Sequence, residues 1–252
     1  MLRALAVVVT LTLTSAAAAD PIIEHWEMTA KPVAGPRTID VARFDLAHYR
    51  LRAFGGDART APTWASEQKL DGVTNAGMFH ESGAPVGLIV ADGHDRGSDN
   101  AKMSGYLAWD PVAASDAPVV VAGRDCKDFD LAALRRRYRS IVQSYRLLGC
   151  DGKAMAWGDP KHYSAAAIGV DRTGRVVMIL ARGAVTMAEL SKELGGHDLA
   201  GALFLEGGPE ASLVVRGKLS VLGSYETGFV ENDDNHEFWK LPNVIGVLAR
   251  SP

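Results

Sequence analysis

The sequence predicts a single α+β domain built on a large mixed β-sheet with a few flanking helices. Three observations carry that expectation. Short β-rich runs recur along the chain, separated by Gly, Asp and Asn turns. Helix signals with recognisable caps are few and short. No repeat, low-complexity tract or interdomain linker interrupts the 252 residues, a length that one large core accommodates.

Composition excludes several classes of protein. With 47% hydrophobic residues, 23% charged and a net charge of −3, the chain lacks the polar, unbalanced make-up of a disordered one. Its 27 Lys and Arg face 30 Asp and Glu, so the basic excess of a nucleic-acid binder is missing. Two cysteines are too few for a disulfide scaffold or a four-thiolate zinc site.

Residues 1–19 read as a secretory signal peptide. Arg3 supplies the positive start, Ala4 to Leu13 the apolar core, and Ala17-Ala18-Ala19 the cleavage signal before Asp20. The apolar run is about half the roughly 20 residues that span a bilayer, so the mature form, residues 20–252, is expected to have no transmembrane segment. A periplasmic or secreted location follows. Export lets Cys126 and Cys150 pair, which would stabilise by about 3 kcal/mol in the chain-entropy picture. Two buried free thiols are the other reading of the same residues.

Along the mature chain, Arg37 to Phe44 and His48 to Phe54 alternate as early strands. Ala61 to Leu70 is expected to be a short helix stopped by Asp71-Gly72, and Val73-Thr74-Asn75 then leads into a Gly loop. Val86 to Ala91 and Val119 to Ala122 are apolar strands, while Gly93 to Ser104 reads as a mobile, turn-rich surface loop. Asp130 to Ser140 is expected to be a helix capped by Asp130, with Leu131, Leu134 and Tyr138 on one face and its arginines on a solvated one. Ala166 to Val170 and Val176 to Ala181 flank the Asp171-Arg172-Thr173-Gly174 turn of a hairpin. Thr186 and Glu189 form a capping box for a helix ending at Gly195-Gly196. Gly201 to Leu205 is a buried strand, Leu213 to Arg216 and Leu219 to Leu222 flank a Gly217-Lys218 turn, and Val244 to Leu248 is the last strand.

Generic catalytic signatures are absent from this order. There is no G-x-x-x-x-G-K-[ST], G-x-S-x-G or H-E-x-x-H. The seven histidines lack metal-ligand spacing, and no metal site is predicted. Three places have chemical potential nonetheless. In Thr74 to Glu81, Gly77 lets backbone N–H groups approach an anion, with polar Asn75 and His80 beside it. In Leu203 to Glu210, a carboxylate, Glu206, follows a buried strand and precedes Gly207-Gly208; burial there raises its pKa toward acid–base work. In Ala181 to Ala184, Arg182 stands just before a capped helix, suited to clamping a phosphate or carboxylate.

These segments appear in a recognisable order. Asn75-Ala76-Gly77-Met78-Phe79, Gln143 to Lys153, Ala167-Ile168-Gly169-Val170-Asp171 and Ala202 to Leu213 together resemble the phosphodiester glycosidase family, over roughly Ile39 to Leu248. The resemblance implies one α+β domain that cleaves between a sugar's anomeric carbon and a phosphate diester. It also exposes departures. The family's arginine three residues before the Ile of A-I-G falls on Ala165, and its D-G-G aspartate on Glu206. Its serines fall near Glu210, Ala211 and Ser212, and the G-P after Q-S becomes Tyr145-Arg146.

By that resemblance Glu206 activates water or stabilises positive charge at the anomeric centre, and Asn75 and His80 orient the sugar. Gly77, Gly207, Gly208 and Arg182 receive phosphate, with Arg146 or Arg182 standing in for the missing arginine. Asp171 falls at a family-like position, although its turn explains it equally well. The implied partner is a carbohydrate phosphodiester or envelope glycan, with no nucleic acid. No cofactor is required, although acidic side chains beside a phosphate leave room for a transient divalent ion. A second reading stays open, a non-catalytic periplasmic glycan-binding or envelope-associated protein on the same scaffold, favoured by the loss at Ala165.

Overall fold

The structure is a computed structural model that describes residues 20–227 and 230–250; the expected signal peptide, residues 1–19, lies outside them. In chain order the first half contains β1 (Ile22–Glu27), β2 (Thr38–Phe44), β3 (Tyr49–Thr60), α1 (Ala61–Glu67), β4 (Gly72–Asn75), β5 (Ile89–Ala91), β6 (His94–Arg96), β7 (Gly105–Pro111) and β8 (Val119–Gly123). There follow α2 (Leu131–Arg137), β9 (Tyr138–Ser144), β10 (His162–Asp171), β11 (Val176–Thr186), α3 (Met187–Gly195) and β12 (Leu199–Gly207). The chain closes with β13 (Ser212–Val215), β14 (Leu219–Leu222), β15 (Tyr225–Thr227), β16 (Val230–Asn232) and β17 (Lys240–Ala249).

The expected single α+β domain is present, with strands dominating. Where the sequence suggests one large mixed sheet, the strands divide among three five-stranded sheets, ordered β1-β2-β11-β10-β12, β14-β13-β4-β17-β3 and β6-β5-β9-β7-β8, and a two-stranded β15-β16 pair. Every strand pairing among the described residues is antiparallel.

One core joins all three sheets. Ala42, Ile168 and Met178 of the first, Leu51, Leu213 and Ile245 of the second, and Leu107, Trp109 and Val142 of the third pack in one cluster. Each sheet buries its other face under one helix. Alternation in β10 and β11 makes this visible: Ala166, Ile168, Met178 and Leu180 face the shared core, whereas Ala165, Ala167, Val177 and Ile179 face Leu190 and Leu194 of α3. Trp64 of α1 and Leu134 of α2 cover the outer faces of the other two sheets. Burial on both faces is why these strands read as continuous apolar runs.

Local chemistry accounts for the helices. Thr60 and Asp130 accept N-terminal amides of α1 and α2, and Thr186 and Glu189 form the expected reciprocal capping box of α3. One expected helix is corrected. The segment from Asp130 stays helical only to Arg137, and Tyr138 opens β9 with φ −129° and ψ 137°. Ile141 and Val142, β-branched and paired with β7, pull the chain into the sheet; Tyr138 is buried from a strand. The loop expected to be mobile, 93–104, is pinned by buried Gln143, which accepts from Asn100 N at 2.9 Å and donates to the Asn100 and Met103 carbonyls. Cys126 and Cys150 form a disulfide with Cα atoms 5.7 Å apart, resolving the two readings of the cysteines. No helix among the described residues is long and apolar enough to cross a membrane.

Candidate active site

Glu206 lies near the end of β12, where the pairing with β10 changes register: Ala166 pairs with Glu206 and Ala167 with Phe204. Strand alternation turns Phe204 and Glu206 to one side, while Leu205 between them is fully buried in the shared core. The side they face is a pocket of about 580 Å³. Its apolar wall combines Met78, Phe79, Tyr145, Trp157, Tyr163 and Phe204; its polar wall combines Glu206, Gly207, Gly208, Glu210, Glu226, Asp159 and Lys161. Tyr145, Trp157 and Phe204 meet edge to face, with ring centroids 5.8 and 6.2 Å apart, a rigid platform of the kind that takes a sugar ring or an apolar group. The Trp157 Nε1 hydrogen is buried with no partner.

Electrostatics single out Glu206. Burial is the main cause that pushes its pKa up to about 8; the Gly207 N–H at 3.1 Å opposes this, and the charge of Glu210 adds to it. Glu210 is also raised, by burial and by Glu226. Glu231, nearly fully buried, is pushed up to about 7 by burial and the charge of Glu226, against hydrogen bonds from Ser224 and Ser164. Lys161 is the only cationic side chain among the described residues that line this pocket.

A second bulge builds the floor beneath these acids. The β10–β11 register shifts between Tyr163 and Ala165, which takes Ser164 out of the ladder. Its freed N–H donates to Glu231 Oε2 at 2.5 Å, and its hydroxyl donates to the Gly208 carbonyl at 3.1 Å and accepts from Ser224 N at 3.0 Å. Ser224 Oγ donates to the same Glu231 oxygen. Thus one bulged residue ties together the strand, the Gly208 turn and the segment that carries Glu226 and Glu231.

The structure brings three of the sequence-chosen residues into the pocket: Glu206, Gly207 and Gly208. Gly77 adjoins it, buried with φ +109° immediately before Met78 and Phe79. Asn75 sits behind the wall. Its Nδ2 donates to the Glu210 carbonyl and its Oδ1 accepts from Ser212 N, both at 2.9 Å; with its amide so occupied, it positions the Glu210 turn instead of facing a sugar. His80 is exposed and outside the pocket wall.

The two arginines expected to bind an anion, and Asp171 at its family-like position, are committed elsewhere. Arg182 donates to Asp233, the Leu222 carbonyl and the Asn235 carbonyl at 2.7–2.9 Å, anchoring the chain around Glu226 and Glu231. Arg146, although next to pocket residue Tyr145, points the other way, to Asp125 and the two disulfide sulfurs. Asp171 is at the far end of β10, where Arg43 and Arg175 bind it at 2.9 and 2.7 Å. Ala165, where the family's arginine falls, is fully buried against the core under α3.

Sequence reasoning missed Trp157, Lys161, Glu226 and Glu231. The last two are cross-strand partners in a short β15–β16 hairpin with no local signature, and only the long-range packing of that hairpin against Ser164 and the Gly208 turn gives them meaning. Glu210 was within reach, four residues after Glu206 on the same turn.

Comparisons with known proteins bear on the family and the fold. A model of the phosphodiester glycosidase family matches residues 68–248. Among solved structures, the zebrafish N-acetylglucosamine-1-phosphodiester alpha-N-acetylglucosaminidase catalytic domain, auto-inhibited by its pro-peptide, superposes with a TM-score of 0.68 at 15% identity, covering 94% of this chain and 85% of that one. A hypothetical protein from Synechocystis gives 0.61 at 14% identity, over 84% of this chain and 59% of that one. A Burkholderia pseudomallei protein provisionally described as exported gives 0.52 at 13% identity, over 86% and 75%. No curated protein matches by sequence.

Proposed function

The chain belongs to the phosphodiester glycosidase family, and from that premise we propose that it is an exported hydrolase that releases a sugar from a sugar 1-phosphodiester. The observation that carries the reading is Glu206, a carboxyl held mostly neutral at pH 7 on the polar wall of an aromatic pocket. Export is proposed from the leader, and the Cys126–Cys150 disulfide suits an oxidising compartment.

Chemistry at this site follows from the charge change. When the bond between C1 and oxygen breaks, its electron pair goes to the phosphate, whose charge grows from about −1 to −2. A water molecule adds to C1 and gives up a proton, leaving a free sugar and a phosphate monoester. An ionised carboxylate beside the departing group would repel it. A neutral Glu206 instead donates a hydrogen bond that strengthens as the charge develops, the use to which buried neutral acids are put elsewhere. This departs from the roles of water activation or cation stabilisation expected from sequence, because both need the ionised form. The aromatic wall supports a place for the sugar or the ester's other arm, and Asp159 and Glu226 are exposed carboxylates of the pocket available to take the water's proton.

Incubating the purified protein with an N-acetylglucosamine 1-phosphodiester and measuring free sugar tests the proposal. Glu206→Gln is expected to lower turnover by about 10²–10⁴-fold with melting no lower than that of the wild type. Retained turnover in that variant removes Glu206 from the chemistry. The lack of an arginine in the pocket favours one competing reading, a glycan-binding protein; binding by the wild type without sugar release supports that reading instead.

A further inference from the structure

The Cys126–Cys150 disulfide has a buried cation against it. Arg146 is 3% exposed, and its Nη1 donates to both sulfurs, at 3.3 Å from Cys126 Sγ and 3.1 Å from Cys150 Sγ. Its Nη2 meets Asp125, and its Nε is buried with no hydrogen-bond partner. The sheet is shaped around this side chain. Gly105 and Gly123 face each other across β7 and β8, and a Cβ on them would stand 2.4 Å from Arg146 Cγ and 2.5 Å from Arg146 Cζ. Two missing side chains thus open the channel that delivers the guanidinium to the sulfurs.

These contacts suit the reduced cysteines better than the oxidised pair. An arginine stays charged in proteins, whereas a disulfide sulfur is a neutral and weak acceptor. The buried donor fork is therefore under-satisfied as it stands. A thiolate in the same place would give it a charged acceptor. Asp125 is the competing anion: a carboxylate oxygen of Asp125 and the two sulfurs lie within 4.8 Å of one another, so it shares the guanidinium and opposes a second negative charge. Access is open as well. Cys150 is exposed and Cys126 half-buried, and a cavity of about 370 Å³ bounded by both cysteines and Arg146 lies beside them, the size of a small-molecule site.

We propose that Cys126–Cys150 is an exchange site for low-molecular-weight thiols, with Arg146 stabilising the departing thiolate. The small thiolate gives its electron pair to Cys150 Sγ, the exposed member, and a mixed disulfide forms. The Cys126–Cys150 bond breaks, and its pair leaves on Cys126 Sγ, beside Arg146 Nη1. A second small thiolate attacks the small-thiol sulfur of the mixed disulfide. It releases the small disulfide, and Cys150 departs and takes up a proton.

Neither cysteine nor Arg146 lines the pocket that contains Glu206, so this inference stands apart from the hydrolase reading. Proton balance gives it a distinctive signature. Exchanging two glutathiones for one oxidised glutathione releases no proton if both cysteines end as thiols. It releases one if Cys126 stays ionised on Arg146, and the equilibrium constant then rises with pH.

The test equilibrates the mature, disulfide-bonded protein with glutathione redox buffers, then alkylates free thiols and reads the products by mass spectrometry. The constant for reduction is expected to rise at least about threefold between pH 6 and 7.5; a flat constant overturns the proposal. Arg146→Met is expected to remove that rise and to make the disulfide harder to reduce at pH 7.5. A rise that persists in the variant, or easier reduction as a merely structural arginine would give, overturns the role of Arg146. If that buried variant misfolds, exposed Asp125→Asn decides. Loss of the competing anion is expected to enlarge the constant at pH 6 by at least about twofold, and an unchanged or smaller one overturns the proposal. Glutathione trapped early is expected on Cys150; trapping on Cys126 alone overturns the direction of attack.

Discussion

The two ends of β10 pose the same physical problem and solve it in opposite ways. At one end Asp171 is buried, which by itself raises a carboxylate's pKa. Hydrogen bonds from Thr173, Arg175 and Arg43 outweigh that and hold it at about 2. At the other end the partners of the strand are Glu206 and Gly207, and Ser164, freed by its bulge, meets Glu231. No arginine lines that pocket, and Glu206 and Glu231 rise to about 8 and 7. Burial alone therefore does not decide what a carboxylate does. Supplying two guanidinium groups makes it a fixed structural anion, whereas withholding them leaves a neutral acid able to donate a hydrogen bond.

That contrast breaks most easily at Asp171. Asp171→Asn leaves Arg43 and Arg175 without their shared anion and is expected to cost about 3–5 kcal/mol, roughly a 6–20 °C fall in melting temperature for a domain this size. Glu206→Gln is expected to melt at or above the wild-type temperature near neutral pH. Equal melting of all three proteins would mean that the two ends do not differ.

The pH dependence of stability sharpens the comparison with a smaller effect. Asp171 has a folded pKa below the unfolded one, so its contribution is present above about pH 4 and lost as pH falls through 4 to 2. Glu206 has the reverse sign. Its folded pKa of about 8 lies above the ordinary glutamate value of 4.5, so the fold prefers its protonated form and loses stability as pH rises between those values. Denaturant unfolding at pH 5, 6.5 and 8 is expected to show a decline of up to about 3 kcal/mol in the wild type and a flatter one in Glu206→Gln. The smallest effect concerns Trp157. Its buried N–H has no partner, so Trp157→Phe is expected to change stability by less than about 1 kcal/mol; a loss of several kcal/mol would give the N–H a structural role.

How much of this was legible in the sequence follows the range of the interactions. The Asp171 turn, the Thr186–Glu189 box and the strand leading to Glu206 are set within a few residues, and all three were read correctly. Tyr138 was misplaced because its helical spacing competed with a sheet partner, β7, that lies some thirty residues earlier. Arg182 has a strand-end position that suits anion binding, and nothing near it in sequence announces Asp233 and Asn235, about fifty residues on. Arg146 likewise depends on where the disulfide falls. The acid at 231 gains its meaning only through Ser164, whose N–H is freed from the ladder by a bulge that no composition encodes. Pairing of charges over distance, more than the choice of elements, is what the one-dimensional reading could not supply.

The central claim, that Glu206 acts in its protonated form, is tested most directly by the pH dependence of kcat on an N-acetylglucosamine 1-phosphodiester. We expect a plateau below about pH 7.5 and a fall of about tenfold per unit above about 8, absent from the residual activity of Glu206→Gln. A rate that climbs through pH 8, as a base would give, or a falling limb that persists unchanged in the variant, contradicts it.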